Sequence, residues 1–200
     1  IKRSLRTYVL SISPEHIQQH LEAVLGPVLV STSGARGGRQ VPFEVVSMDH
    51  QPCEGAVTCC TAGLSRQALR YADGETVRLE FLFAAYEDFV NSSLYNWMFS
   101  VGETLLNENS ALFPGRVMDL GAAIAPDSVL RHLFFFEPVY FPEELFELQA
   151  PEGMVEFVWG IPVSGGEADL IVREGAEAFS RLLEAHDPDL LVFRRPGIVG

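Results

Sequence analysis

Two hundred residues, 48% hydrophobic and 20% charged, suffice for one domain with a real core or two small ones. A net charge of −13 repels phosphate backbones and so argues against nucleic-acid binding; it fits a solvated acidic surface, or a face that steers a basic protein partner. No apolar run reaches the ~18 residues of a membrane span. The basic start Ile1-Lys2-Arg3-Ser4-Leu5-Arg6 lacks the apolar block of a secretory signal. Three cysteines, two of them adjacent, make no disulfide framework, so a reducing cytoplasm is expected.

Ser13-Pro14-Glu15 predicts a helix start, with Ile17, Leu21, Val24 and Leu25 as its apolar stripe and Gly26-Pro27 as its stop. Ser31 to Gln40, polar and glycine-rich, predicts a mobile loop. Phe43 to Met48 predicts a strand. Two β-branched and aromatic runs follow, Val57 to Ser65 and Val77 to Phe83, separated by the turn Asp73-Gly74 and expected to lie side by side in one buried sheet. Asn91 to Asn109 carries Leu94, Trp97, Met98, Val101, Leu105 and Leu106 at helical spacing and predicts the longest helix, ended before Pro114-Gly115. Val117 to Leu120 predicts a short strand and Leu130 to Phe136 a buried one, stopped by Pro138. Met154 to Ile161 predicts another, stopped by Pro162. Ser164 caps a helix that Gly175 interrupts before a second helix with Phe179, Leu182 and Leu183. Without regular βαβ alternation, linker or repeat, this order predicts a single α+β domain. Its sheet is mixed and largely antiparallel, covered by helices, with its core at about residues 15–195 of 1–200.

Glu80 stands inside the second apolar run. A carboxylate there needs a partner, because burying it unpaired is expensive. Backbone donors, a hydroxyl or an arginine are expected to meet it, and Glu80→Ala is expected to cost on the order of 3 kcal/mol or less.

The remaining chemistry-bearing residues form no complete signature. Gly34-Ala35-Arg36-Gly37-Gly38-Arg39 lacks the Gly-Lys-Ser/Thr ending of a phosphate loop. His16 and His20 share a helix face, with His50 and Cys53 as further donors, but two histidines do not complete a metal site and none is expected. Glu143-Glu144 suits a helix start, and Asp187/Asp189 flank a turn proline. No cofactor is expected. The enzymatic alternative is a small hydrolase using Ser65, or a Cys59 or Cys60 thiolate, with His132; no Gly-x-Ser-x-Gly elbow supports it. Phe134, Phe135, Phe136, Tyr140, Phe141, Phe146, Phe157 and Trp159 require either helices on both faces of the sheet or some exposed rings, which would mark a partner site.

Taken in order, several of these stretches resemble the suppressor-of-fused family in its bacterial form. They are Thr61-Ala62-Gly63-Leu64-Ser65; Arg78-Leu79-Glu80; the long helix ended at Pro114-Gly115; the strand entering Glu137-Pro138; Phe157 to Pro162 with Glu167; and Gly175 with Leu182-Leu183. Arg116 departs from the pattern, standing where many members carry histidine. The resemblance implies an α+β domain that binds protein without catalysis. Thr61, Gly63, Leu64, Ser65, Glu80, Gly115, Pro138, Pro162 and Glu167 would be its structural motif residues. In animals a two-domain relative clamps a peptide of a Hedgehog-pathway transcription factor between its halves; this chain spans the first domain and is expected to lack that clamp. Bacterial members resemble immunity proteins that neutralise toxins, so the expected partner is a protein, plausible in kind as a basic toxin domain.

Overall fold

In the computed structural model, residues 12–36, 38–111 and 115–199 are described. The basic N-terminal stretch, Gly37 and Pro114 lie outside them. The elements are α1 (Pro14–Leu25), β1 (Val30–Arg36), β2 (Arg39–Asp49), β3 (Ala56–Ala62), β4 (Leu69–Arg70), β5 (Thr76–Tyr86), α2 (Ser92–Glu108), β6 (Val117–Asp119), β7 (Leu130–Phe136), β8 (Glu147–Ala150), β9 (Gly153–Ser164), α3 (Gly165–Glu174) and α4 (Ala176–His186). The strands make one sheet in the order β1-β2-β3-β5-β9-β7-β6, with β4 paired to β5 and β8 to β9. Every pairing is antiparallel except β5 with β9, which is parallel. The fold is thus α+β with a mixed, mostly antiparallel sheet.

Both sheet faces are covered, and strand alternation sorts the residues between them. In β5, Val77, Leu79, Phe81, Phe83 and Ala85 join the cluster under α2, where Leu94, Met98, Val101 and Leu105 reach down. Leu82 and Ala84 face the other way, toward Ile17, Leu21 and Leu25 of α1, Ile171 of α3 and Phe179 of α4. Cys59 and Cys60 divide between the two clusters in the same manner. A register shift between Leu130 and His132 changes the parity of β7, so that Leu130, Leu133 and Phe135 share one face while Phe134 serves the other. Cover on both faces explains why these strands read as nearly unbroken apolar runs.

Three expectations need correction. The run expected as one strand from Val57 to Ser65 ends at Ala62, and Leu64 to Arg66 form a 3-10 turn. The polar stretch from Ser31 to Gln40 is no loop: Val30 to Ser33 pair with Glu44 to Ser47, and Ala35 and Arg36 with Gln40 and Arg39. Its small polar residues suit a sheet edge, and Gly34 lets the strand pass directly over the Phe99 ring, where a Cβ would stand 2.6 Å from Cδ1. Nor does Pro162 stop β9, which continues to Ser164. Pairing with β5 ends at Leu82↔Trp159, and the Pro162 carbonyl faces away from β7 to accept from Arg195 Nη2 at 3.0 Å. The missing N–H therefore falls on the side without a strand partner.

The α2 helix tests close packing against propensity. Asn91 caps it by accepting from the Ser93 N–H at 2.8 Å, and Asn109, at φ 49°, closes it. Gly102 sits mid-helix, where alanine gains about 1 kcal/mol in propensity. A Cβ there would collide with the Phe43 ring at Cζ. Gly102→Ala is expected to destabilise the fold by about 1–2 kcal/mol, because overpacking outweighs propensity. A lowered urea midpoint at unchanged m-value is the readout.

Candidate functional site

The ladder between β3 and β5 stops at Cys60↔Leu82, and β4 resumes it at Leu69↔Val77. The gap holds a tight 3-10 turn, Leu64–Arg66, entered through Gly63 at φ 105°. The first amides of such a turn have no partners of their own and converge like an anion nest. Glu80 fills the nest. Its Oε1 accepts from the amides of Gly63 (2.9 Å) and Ser65 (3.0 Å) and from Ser65 Oγ (2.6 Å). Its Oε2 accepts from Thr61 Oγ1 (2.6 Å) and the Leu64 amide (3.2 Å). Thr61 Oγ1 also accepts from the Phe81 amide at 3.0 Å, replacing a missing ladder bond. Two residues before Glu80, Arg78 Nη1 donates at 2.8 Å to the carbonyls of both Ser65 and Arg66. One strand thus grips the turn at both polar ends. Gly63 is required by its positive φ and by Pro14, whose Cγ lies 3.1 Å from where a Cβ would stand.

Glu80 is fully buried. Burial pushes its carboxyl up to about 6, and the Ser65 and Thr61 hydroxyls with the Ser65 and Gly63 amides restrain the rise. It is ionised at neutral pH, as five donors require of an acceptor.

A second polar knot ties the C-terminal segment to the sheet. Ser164 and Glu167 form a capping box at the start of α3, with the Ser164 amide 2.6 Å from Glu167 Oε2. Arg195 reaches the same carboxylate in a fork, Nη1 to Oε1 at 2.7 Å and Nη2 to Oε2 at 3.1 Å, and the Ile198 amide adds a bond at 3.0 Å. Burial raises the Glu167 carboxyl, but Arg195 and the Ile198 and Ser164 amides outweigh it and hold the group below its ordinary value.

The nine motif residues therefore fall in different places. Thr61, Gly63, Leu64, Ser65 and Glu80 form the nest; Pro162 and Glu167 meet at Arg195. Gly115, at φ 96° with Ala176 Cβ 3.2 Å from its would-be side chain, lines a cleft of about 930 Å³ with Arg70, Tyr71, Glu108 and Arg116. Arg116 braces that wall by donating to Ser110 Oγ at 2.7 Å and to the Ala111 carbonyl at 3.1 Å. Pro138 is buried at the end of β7. Sequence reasoning named Arg78 only as part of the Arg78-Leu79-Glu80 stretch, without a role, and missed Arg195. The i, i+2 spacing of Arg78 and Glu80 was a visible clue for the first; the second acts across 28 positions and left none.

The hydrolase arrangement is not assembled. Ser65 Oγ is spent on Glu80. His132 pairs with Val163 and Glu80 with Phe157, six residues apart along β9 or roughly 20 Å. Burial pushes the Cys59 thiol up to about 12 and that of Cys60 well above its ordinary value, the opposite of a nucleophile's requirement. His20 packs on the Phe157 ring at 5.3 Å, and among the described residues no three His, Cys, Asp or Glu side chains converge as metal ligands. No described helix is long and apolar enough to cross a membrane.

Both faces of the sheet are covered, and the Glu80 and Glu167 carboxylates with the Thr61 and Ser65 hydroxyls are committed to internal bonds, an arrangement that belongs to one particular family. The sequence profile of the suppressor of fused protein (SUFU) family matches residues 39–196, and the chain belongs to that family. It is 26% identical over 160 residues to the immunity protein YqcF of Bacillus subtilis (strain 168), covering 78% of this chain and 82% of that one. A suppressor of fused homologue from Neisseria gonorrhoeae superposes with a TM-score of 0.77 at 14% identity, over 94% of this chain and 97% of the other. A chain of the Sufu-Fu complex gives 0.71 at 16% identity, over 93% and 92%. Drosophila Suppressor of Fused gives 0.62 at 17% identity, this chain matching 43% of its length.

Glu80→Ala leaves three buried amides without an acceptor and is expected to cost about 3 kcal/mol, read from the urea midpoint. The two carboxylates respond to pH with opposite signs. The folded state binds a proton at Glu80 before the unfolded chain does, so this group's contribution falls as pH rises from about 4.5 through about 6. Glu167, held low, contributes fully above about 4.5 and loses its contribution as pH falls below that. Glu167→Gln should flatten the acid limb of a stability–pH curve and leave the limb above pH ~5 in shape.

Proposed function

We propose that this protein is a non-enzymatic, cytoplasmic protein-binding domain, an immunity protein that neutralises a toxin by direct association. The observation that carries the reading is the likeness to the immunity protein YqcF across 82% of that protein's length. The commitment of Ser65, Cys59 and Cys60 to the scaffold supports it, since each candidate nucleophile is buried. In this reading Thr61, Gly63, Leu64, Ser65, Glu80, Gly115, Pro138, Pro162 and Glu167 shape the domain, and the partner meets other residues. The toxin would be a basic protein domain, drawn by the charge of −13.

The test is affinity capture of the tagged chain from its native cell after cross-linking, followed by expression of the captured protein alone. A stoichiometric partner that arrests growth by itself, and no longer does so when this chain is co-expressed, is the expected result. Capture of no protein, or of one whose expression leaves growth unaffected, overturns the reading.

A further inference from the structure

The two ends of the sheet are unlike. At one end β6 is three residues long. At the other, β1 runs seven residues and has β2 as its one neighbour among the described residues. Every second residue of such a strand directs its N–H and C=O away from the sheet, where they template another strand. Edge strands are commonly blunted by lysine, by proline or by shortness. β1 has none of these, and its pairing is regular over Val30–Ser33 before the shift at Gly34. Leu29 and Val30, where the strand begins, are 55% and 47% exposed.

A cleft lies along this edge. Thr32 pairs with Val45, which packs under α2, and Ser31 pairs with Val46, which packs toward α1. Alternation then puts Val30 and Thr32 on the α2 face. Gly34 joins them there, because the Phe99 ring occupies the place its side chain would take. On that face a cleft of about 680 Å³ opens between Thr32 and Gly34 of the strand and Asn91, Tyr95, Asn96 and Phe99 of α2 and its cap. No charged residue lines it among those described. From Gly26 to Phe43 the chain holds no Asp or Glu and carries Arg36 and Arg39, so the edge is locally positive in a protein of net charge −13. Arg39 is exposed and belongs to no ion pair among the described residues.

We infer that the β1 edge and this cleft receive an extended segment of a partner protein, added antiparallel to Val30–Ser33, with alternate apolar side chains in the cleft and a carboxylate at the Arg39 end. The inference rests on the protein-binding function proposed above and assigns it a surface. Three observations select the occupant. Outward backbone groups at two-residue spacing are matched by another strand, and antiparallel pairing is the more stable kind. An uncharged cleft on one face takes every second side chain of that strand, and an aromatic ring beside an edge glycine covers the gap the glycine leaves. Charge complementarity puts the carboxylate at Arg39. The charge of −13 draws the basic body of the partner over a distance, and the edge holds one strand of it. A second copy of this chain brings the same carboxylate-free run to the edge and another −13 charges, which repel.

The probe is the peptide acetyl-Asp-Phe-Thr-Val-Thr-Val-amide, titrated into the whole nitrogen-15-labelled chain and read by amide chemical shifts. Antiparallel to β1, its Phe and two Val side chains fall beside Gly34, Thr32 and Val30, and its Asp lies at the Arg39 end. Saturable shifts along β1 and the first half of α2 are expected; their absence up to about 1 mM peptide overturns the inference. Two further peptides carry N-methyl groups, one on the odd amides and one on the even. A paired strand offers β1 only one of these sets, so one peptide loses binding and the other keeps it; equal behaviour overturns strand addition. Thr32→Lys, which puts an ammonium in the cleft, should weaken the probe about tenfold or more. Val172→Lys, an exposed position on α3 with the same charge change, should weaken it less than about twofold. Equal loss in the two variants overturns the site. Arg39→Gln should weaken the Asp peptide severalfold and leave its Asn counterpart unchanged; an equal effect overturns the assigned chemistry. Light scattering tests the other occupant: a wild-type dimer that Thr32→Lys dissociates gives the edge to a second copy and overturns the partner segment. Melting curves of each variant confirm that folded protein is compared. Because the probe is no toxin, the result is independent of whether a captured partner arrests growth. Failure here while growth protection persists refutes the edge alone, and binding here without protection refutes the immunity role alone.

Discussion

A fully buried carboxylate holds the centre of this sheet together. Glu80 accepts four hydrogen bonds from a turn that would otherwise present unpaired amides to the core, and a fifth from Thr61 on β3. The alternative, an apolar residue at position 80, would leave those amides with no water within reach, which costs more than burying one ion that they collectively solvate. The ladder interruption between β3 and β5, the left-handed Gly63 and the approach of α1 through Pro14 all follow from that turn. Arg78 extends the same logic to the carbonyl side, so β5 fixes the turn's orientation as well as its position.

The second knot solves a different problem. The segment after α4 has no regular secondary structure beyond a few turns, yet Leu190, Leu191 and Phe193 are buried, and they belong to clusters on opposite faces of the sheet. Apolar contact alone gives such a segment little directional information. The fork from Arg195 to Glu167 supplies it, because a planar guanidinium meets a carboxylate in few orientations. Ser128 Oγ, donating to the Phe193 carbonyl, pins the same segment two residues earlier. Ion pairs this deeply buried are weak sources of stability, and their better-attested use is to specify one arrangement over others.

Local patterning made most of the framework legible. Ser13-Pro14, Asn91 and Ser164 announced three helix starts, because capping is written in adjacent residues. The paired central strands and the oddity of Glu80 were likewise visible, since alternation and a charge in an apolar run need no tertiary knowledge. What escaped was decided by distant partners. The first strand, Val30–Arg36, reads as a loop because its residues are small and polar, and only pairing with β2 and the Phe99 ring beneath Gly34 makes it a strand. Pro162 reads as a strand terminator until it is known that one of its sides faces an arginine. The surplus of aromatic residues from Phe134 to Trp159 was legible, but that Tyr140 is exposed while Phe141 is buried depends on where the Pro138 turn points each side chain.

The single parallel pairing carries a consequence for how the chain is made. Glu80 and Phe157 face each other across 77 positions, so the contact at the middle of the sheet is among the most distant in sequence. The hairpins from β1 to β5 can close locally as soon as they leave the ribosome, whereas the far side of β5 waits for β9. Until then a growing chain displays Leu79, Phe81 and Phe83 on an open strand edge for the seconds that synthesis of the intervening segment requires. Its hazard of misassembly therefore belongs to translation, and a cell expressing this protein carries that hazard each time it makes a copy.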